Sequence, residues 1–446
     1  MELAAPPDEP KTALESLRRI LFLGVGLALP LFAFPVVRPF GRPTDLATLL
    51  AAAFVLASLP AVLSTRTPKP LWLLVIGATC APLLVLVPPR LDRFEPTHFA
   101  TSYLHWLLVV LFFACAGQLT VSGRSRQRLV TANVVAGSIV ALFALYQVFG
   151  IPRGWPGTGK WLAPFQRDPL WLRDMGTGYI RPTSLFLEPA WMGGYLAWVL
   201  VLALALVMAG GRRPRRLLGV VGTVFALLAI GASVSWGAYA DAAAGLIASA
   251  IVLVRLRGLS ARSIAMAAGI LSLVVLLAGV SPAGRRAISA ATSRFGWLLQ
   301  TPIAPERMTL EVMDSSWVRF RNVAHTSALF RGRVTRGVGL GQFPDYAREP
   351  GGDAGWFRDP WCGWLAIGAE MGMLGPLLLL SALLLTLGVW WLSPSREPFE
   401  SAGPALVAVC AVMQIHTGSY IDLWFWYPLS LGLVLSARTT AEPSHV

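Results

Sequence analysis

Two stretches of this chain concentrate arginine outside its apolar runs. Residues 282–360 hold eleven Arg against seven acidic residues, and residues 150–183 hold five Arg or Lys against two Asp. The guanidinium is planar, permanently charged and forks onto phosphate through paired hydrogen bonds, so such loops favour an anionic, phosphate-bearing partner. Attraction to anionic headgroups or lipopolysaccharide is the plainer alternative for any one Arg. A second set comprises acidic residues set among apolar ones: Glu188, Asp241 and Glu370. A charge is expensive to keep in such surroundings and is usually functional. No carboxylates cluster at metal-ligand spacing in the arginine-rich loops, so the protein's own cations, not a metal, are expected to face any negative charge.

Gly337-Val338-Gly339-Leu340-Gly341 looks at first like a nucleotide loop. The dinucleotide fingerprint, however, needs G-x-G-x-x-G after a strand, and there is no P-loop and no soluble βαβ unit here. The glycines are expected to form a tight turn where the chain returns to a helix.

The elements that carry these residues are membrane helices. The chain has 446 residues, 55% hydrophobic and 13% charged, where a soluble domain carries about a quarter charged. Runs approaching the roughly 20 residues needed to cross a bilayer recur at 17–37, 44–64, 69–89, 99–121, 128–149, 184–210, 217–234, 238–254, 263–281, 361–392, 403–417 and 421–437. Twelve crossings put Arg18, Arg19, Arg66, Lys69, Arg124, Arg126, Arg128, Arg212, Arg213, Arg215, Arg216, Arg255, Arg257, Arg262, Arg396 and Arg438 on one side. The short loops opposite hold Arg38, Arg42, Arg90 and Arg93. The richer side is then cytoplasmic, with both termini on it. The net charge of +14 is largely topogenic and requires no nucleic acid. Cys80, Cys115, Cys362 and Cys410 are scattered, with no disulfide framework. The first span reads as an anchor and not as a cleaved signal.

The expected fold class is therefore an all-α polytopic membrane protein. Residues 1–149 form N-terminal helices, 150–183 a smaller extracytoplasmic loop and 184–281 central helices. Residues 282–360 form the larger loop, and 361–446 the C-terminal helices with a short tail. Within the larger loop, 314–331 has helical spacing. Trp317, Phe320, Ala324 and Ala328 share one face, with Arg321, His325 and Leu329 on the next, as in an interfacial helix. Most of the Trp are expected at the membrane interfaces, with Trp155, Trp161 and Trp171 placed to stack on sugars.

The order of these elements resembles the O-antigen ligase and O-antigen polymerase superfamily. A loop-helix Arg (Arg321) is followed by GVGLGQF (337–343) and then by Leu365, Glu370, Gly372 and Gly375 in the pattern L-x-x-x-x-E-x-G-x-x-G. RPTSLFLEPAWMGGYL (181–196) resembles the segment that opens a span after the smaller periplasmic loop. Two departures point to the polymerase branch. Trp361-Cys362 stand where ligases carry a His-Asn pair, and Ser233-Val234-Ser235-Trp236-Gly237 has Trp where Arg is usual.

The resemblance implies polymerisation, on the periplasmic face of a bacterial inner membrane, of oligosaccharide repeats carried on polyprenyl diphosphate. The product would be an O-antigen or an exopolysaccharide. No cofactor is implied. The partners implied are lipid-linked oligosaccharides, membrane lipids and a chain-length regulator. The reaction needs cations on the leaving diphosphate and a base for the acceptor proton. Arg321 and Arg319 are the expected catalytic cations, with Arg181, Arg333 and Arg336 binding diphosphate or glycan. Glu188, Asp359 and His325 are the candidate bases; Asp359 could equally cap the helix at Pro360 and His325 could equally pack. Tyr239 and Asp241 are substrate contacts or partners of loop arginines, and His416, Tyr420 and Asp422 form a turn open to either reading. Gly337, Gly339, Gly341 and Gly372 are structural, with Glu370 bracing the loop against an Arg. A ligase adding glycan to a lipid A-core acceptor, or a flippase of the same lipid-linked glycan, are the alternatives.

Overall fold

The computed structural model describes residues 12–31, 34–37, 44–64, 69–86, 94–119, 121–156, 179, 181–186, 188–209, 213–257, 285–286, 289, 315–346, 362–392, 399–418 and 420–437. The elements are α1 (Ala13–Ala28), β1 (Pro35–Val37), β2 (Thr44–Asp45), α2 (Leu46–Ser64), α3 (Lys69–Cys80), α4 (Pro96–Ala116), α5 (Gly123–Gly150), α6 (Pro189–Met208), α7 (Arg213–Ser233) and α8 (Trp236–Arg257). Then follow α9 (Ser315–Gly332), α10 (Phe343–Tyr346), α11 (Gly363–Met371), α12 (Leu374–Leu392), α13 (Ala402–His416) and α14 (Leu423–Ser436). Among the described residues, seven helices are long and apolar enough to cross a membrane, and three more are apolar but shorter. The chain is an all-α membrane protein whose only described strands are the β1–β2 pair, which is antiparallel.

Polar residues set the helix starts where the sequence places them. Thr12 accepts from the Glu15 amide at 3.2 Å, Asp45 from the Thr48 amide at 2.8 Å and Ser122 from the Ser125 amide at 3.3 Å. Each satisfies an amide that the first turn leaves without a carbonyl. Pro96 and Pro189 occupy first turns, where a missing N–H costs nothing.

One expectation changes. The run 361–392 is not one span. It breaks at Gly372, whose φ of +65° and ψ of −160° end α11 before α12 begins. That backbone region is essentially closed to residues with a Cβ. The described tryptophans differ in burial. Trp106, Trp198, Trp424 and Trp426 are buried, whereas Trp155 and Trp391 are exposed. Trp106 Nε1 donates to the Ala78 carbonyl and Trp426 Nε1 to the Tyr420 carbonyl, at 2.8 and 2.7 Å, so each indole meets the demand of its buried N–H. Trp161 and Trp171, the predicted span 263–281 and most of both large loops lie outside the described residues.

The helix α6 is the hub. It is buried on nearly every side by α5, α7, α8 and α13. Small residues allow the close approach: the Cα of Gly245 on α8 faces Val201 of α6 and Val409 of α13 so tightly that a Cβ there would lie 2.8 Å from each side chain. Helices in a bilayer associate by such packing, because lipid offers no hydrophobic incentive.

The bundle has two chemically different ends. At one, Arg19 reaches Glu15 at 2.7 Å and the Ser125 hydroxyl at 3.4 Å. There too the fully buried Arg126 pairs with Glu400 at 2.8 Å and donates to the Ala437 carbonyl. The other end gathers the residues of interest.

Candidate functional site

The glycine turn is built onto the end of α11. The amides of Val338 and Gly339 donate to the carbonyls of Ala369 and Glu370, each at 2.8 Å. The Glu370 carboxylate turns back and accepts from the Gly341 amide at 2.8 Å and the Phe343 amide at 3.1 Å. Its Oε2 also accepts the Tyr420 hydroxyl. Gly337, Gly339 and Gly341 all have positive φ, and a Cβ at Gly337 would collide with the Glu370 backbone, one at Gly341 with Ser102 and the His98 carbonyl. Gln342 completes the fit by donating to the Glu95 carbonyl at 2.9 Å and accepting from the Glu95 amide at 2.7 Å, which ties the turn to the start of α4. Among the described residues Glu370 thus braces the loop through amides and a phenol and not through an arginine. A carboxylate that accepts several charge-assisted bonds can sit in a buried site.

The helix expected at 314–331 is present as α9. Asn322 and Thr326 are fully buried and Ala328 is exposed, while Phe330 packs over Gly368 of α11. The described inward stripe is therefore Asn322, Thr326 and Phe330, four residues apart. For Arg319 and Arg321 the structure describes the helix backbone. His325 is half-buried, Arg331 is exposed in the last turn of the helix, and Arg333 and Arg336 are exposed just beyond its end. The Arg333 guanidinium lies over the Tyr346 ring at 5.1 Å, a cation–π contact.

The segment before α6 is held as firmly. Gln147 of α5 accepts from the amides of Thr183 and Ser184 at 3.1 and 2.7 Å and donates to the Ser184 carbonyl at 3.2 Å. Arg181 Nε donates to the Ser233 carbonyl at 2.7 Å, and Tyr179 to the Ala232 carbonyl at 2.6 Å. Both contacts fall on the turn between α7 and α8, where Val234 has a φ of 45°. Arg181 therefore anchors that altered serine motif and does more than flank a span. Glu188 is not inside a span. It is the buried N-cap of α6, one residue before Pro189, where the helix macrodipole favours a negative charge.

The α8 residues separate by role. Tyr239 donates to the Gly231 carbonyl at 2.9 Å and so fastens α8 to α7. Asp241 is fully buried and meets His416 Nε2 at 2.9 Å. This pairing joins residues 175 positions apart; both were singled out in the sequence, but nothing there joined them. The turn after α13 serves both halves of the site: His416 faces Asp241, Tyr420 reaches Glu370, and the Asp422 carbonyl starts α14. The side chain of Gln414, which the sequence did not single out, lies against Gly363 at the start of α11. Asp359 lies outside the described residues. Among the described residues no three His, Cys, Asp or Glu side chains gather as metal ligands would. Cys80, Cys115, Cys362 and Cys410 are free thiols.

One end of the bundle therefore unites a clamped glycine turn, an arginine-bearing loop helix, an anchored Arg181 and a buried carboxylate–imidazole pair. Comparison with known proteins adds no family to this geometry: no protein-family model matches the chain, and no curated protein does.

Proposed function

We propose that the protein is a nucleotide-independent membrane glycosyltransferase that polymerises oligosaccharide repeats carried on polyprenyl diphosphate, making an O-antigen or exopolysaccharide. In this reading it crosses a bacterial inner membrane twelve times, with both termini cytoplasmic and the site periplasmic. The observation that carries it is the convergence of the two elements of the resemblance. RPTSLFLEP, anchored through Arg181, and GVGLGQF, clamped by Glu370, lie at the same end of the bundle, opposite the buried Arg126–Glu400 pair. A polymerase of this kind needs cations at a leaving diphosphate, and Arg321, Arg319, Arg333 and Arg336 stand on or just beyond α9, a helix that packs on α11. Arg321 is assigned the transfer step, with Arg181, Arg333 and Arg336 meeting diphosphate or glycan. The partners are the lipid-linked repeats, membrane lipids and a chain-length regulator; neither cofactor nor metal is assigned.

The break at Gly372 is a feature transporters also use. Here, however, it serves to seat the glycine turn, since the Met373 amide donates to the Val334 carbonyl at 2.7 Å. A strain lacking the protein separates the readings by what it accumulates. Single lipid-linked repeats on the periplasmic face are the expected product. Long lipid-linked chains that never reach their acceptor would establish a ligase, and repeats still facing the cytoplasm a flippase.

A further inference from the structure

The glycosyl-transfer reading leaves one requirement unfilled. A sugar hydroxyl that attacks a glycosyl diphosphate must lose its proton, and the arginines that hold diphosphate cannot take it. Two helices that pack together, α8 and α13, bring the one described His–Asp pair to this end of the bundle. Its polarity is ordered. The Asp241 carboxylate is fully buried, while the His416 side chain retains 18% exposure. Asp241 Oδ1 meets His416 Nε2 at 2.9 Å, whereas Oδ2 is buried beside Gly194 with no hydrogen-bond partner. The Nδ1 edge of the ring lies against the Gly237 backbone, where any Cβ would overlap the imidazole. Glycine at 237 is what lets the ring sit there with part of it exposed, and the neighbouring Arg181–Ser233 contact places a cation-bearing loop beside the same turn.

We propose that His416 is the general base of the transfer and that Asp241 positions it; this rests on the reading given under Proposed function. The acceptor hydroxyl oxygen bonds to the anomeric carbon of the donor glycan. The bond from that carbon to the diphosphate oxygen breaks, and the polyprenyl diphosphate departs with the electron pair. The acceptor proton passes to His416 Nδ1. Asp241 holds Nε2–H, fixing the tautomer that leaves Nδ1 a lone pair, and its carboxylate stabilises the imidazolium that forms. A buried carboxylate whose other oxygen lacks a donor is costly to maintain. Protonation of its one partner turns the pair into an ion pair, so proton uptake at this place is matched by a charge already there.

The test uses the full-length protein in lipid vesicles with a synthetic polyprenyl-diphosphate-linked repeat, following chain growth and donor binding separately. His416→Gln can still donate to Asp241 but cannot take a proton. It is expected to fold and to bind donor like wild type while losing turnover by roughly 10²- to 10⁴-fold. His416→Ala is expected to lose turnover as much and to regain part of it with added imidazole. A purely structural role for His416 would show no such recovery. Wild-type turnover in His416→Gln overturns the assignment, as does an alanine variant of unchanged unfolding midpoint that ignores imidazole. A wild-type protein that transfers no sugar overturns the glycosyl-transfer reading and this assignment with it. Transfer by wild type that His416→Ala matches without imidazole overturns the assignment alone.

Discussion

Tyr420, in the turn between α13 and α14, donates its hydroxyl to the Glu370 carboxylate on α11, fifty residues away in sequence. Glu370 in turn accepts the amides of Gly341 and Phe343. One carboxylate therefore joins the C-terminal helices to the glycine turn. Bonds to a buried charge contribute more than neutral ones, and removing one partner leaves the other groups unsatisfied. Glu370→Ala is expected to lower stability by about 3 kcal/mol or more and Tyr420→Phe by about 1–3 kcal/mol. The double variant should lose less than the sum, because the two share one network. Unfolding midpoints in detergent, followed by intrinsic tryptophan fluorescence, check this.

Gly372 is predicted to be the least replaceable glycine of the C-terminal helices. Its φ and ψ are strained for any other residue, and a Cβ would lie 2.6 Å from the Val334 carbonyl oxygen and 2.7 Å from the Arg336 amide nitrogen. Gly372→Ala should cost at least about 1–3 kcal/mol from backbone strain. Gly388→Ala, on the open side of α12 with nothing within 4 Å, should be neutral or slightly stabilising, since alanine is the better helix former. Membrane abundance and unfolding midpoints of the two variants provide the comparison.

The Arg126–Glu400 pair makes a separate prediction. Both side chains are almost fully buried. Removing one partner strands a charge, so Arg126→Met alone should destabilise by about 3–5 kcal/mol. Arg126→Met combined with Glu400→Leu should recover much of that loss, because an apolar pair of similar volume often replaces a buried ion pair without penalty. A double-mutant cycle on unfolding midpoints measures the coupling.

Much of this architecture was legible in the sequence because hydropathy over 18 to 20 residues reports helix burial in lipid directly. The starts of α2, α5 and α6 follow polar caps or proline that stand in the chain as written. The break within 361–392 did not register in hydropathy, since the run stays apolar straight through Gly372; only the spacing of Glu370, Gly372 and Gly375 hinted at it. Glu370 was expected to seek an arginine because a charge is visible in sequence, whereas the amides of a glycine turn become donors only after the turn forms. Asp241 and His416 were each visible as polar residues in apolar helices. Their pairing depends on how α8 and α13 pack, which local periodicity does not carry. Tryptophan type alone likewise could not separate Trp106, which finds the Ala78 carbonyl inside the bundle, from the exposed Trp155.

The backbone of α9 packs on α11, and Arg321 stands one residue before the buried Asn322. A bidentate contact with diphosphate requires the guanidinium fork, which lysine cannot reproduce. Arg321→Lys should therefore fail nearly as badly as Arg321→Ala, with both far below wild type at matched membrane abundance.

The measurement that bears most directly on the central claim is chain growth by the purified protein in vesicles supplied with a lipid-diphosphate-linked repeat and no nucleotide. Wild-type protein is predicted to yield a ladder of lengthened lipid-linked chains, and Arg321→Ala and Arg321→Lys only the starting single repeat. Unextended repeats with wild-type protein, or equal ladders from all three, would contradict the account.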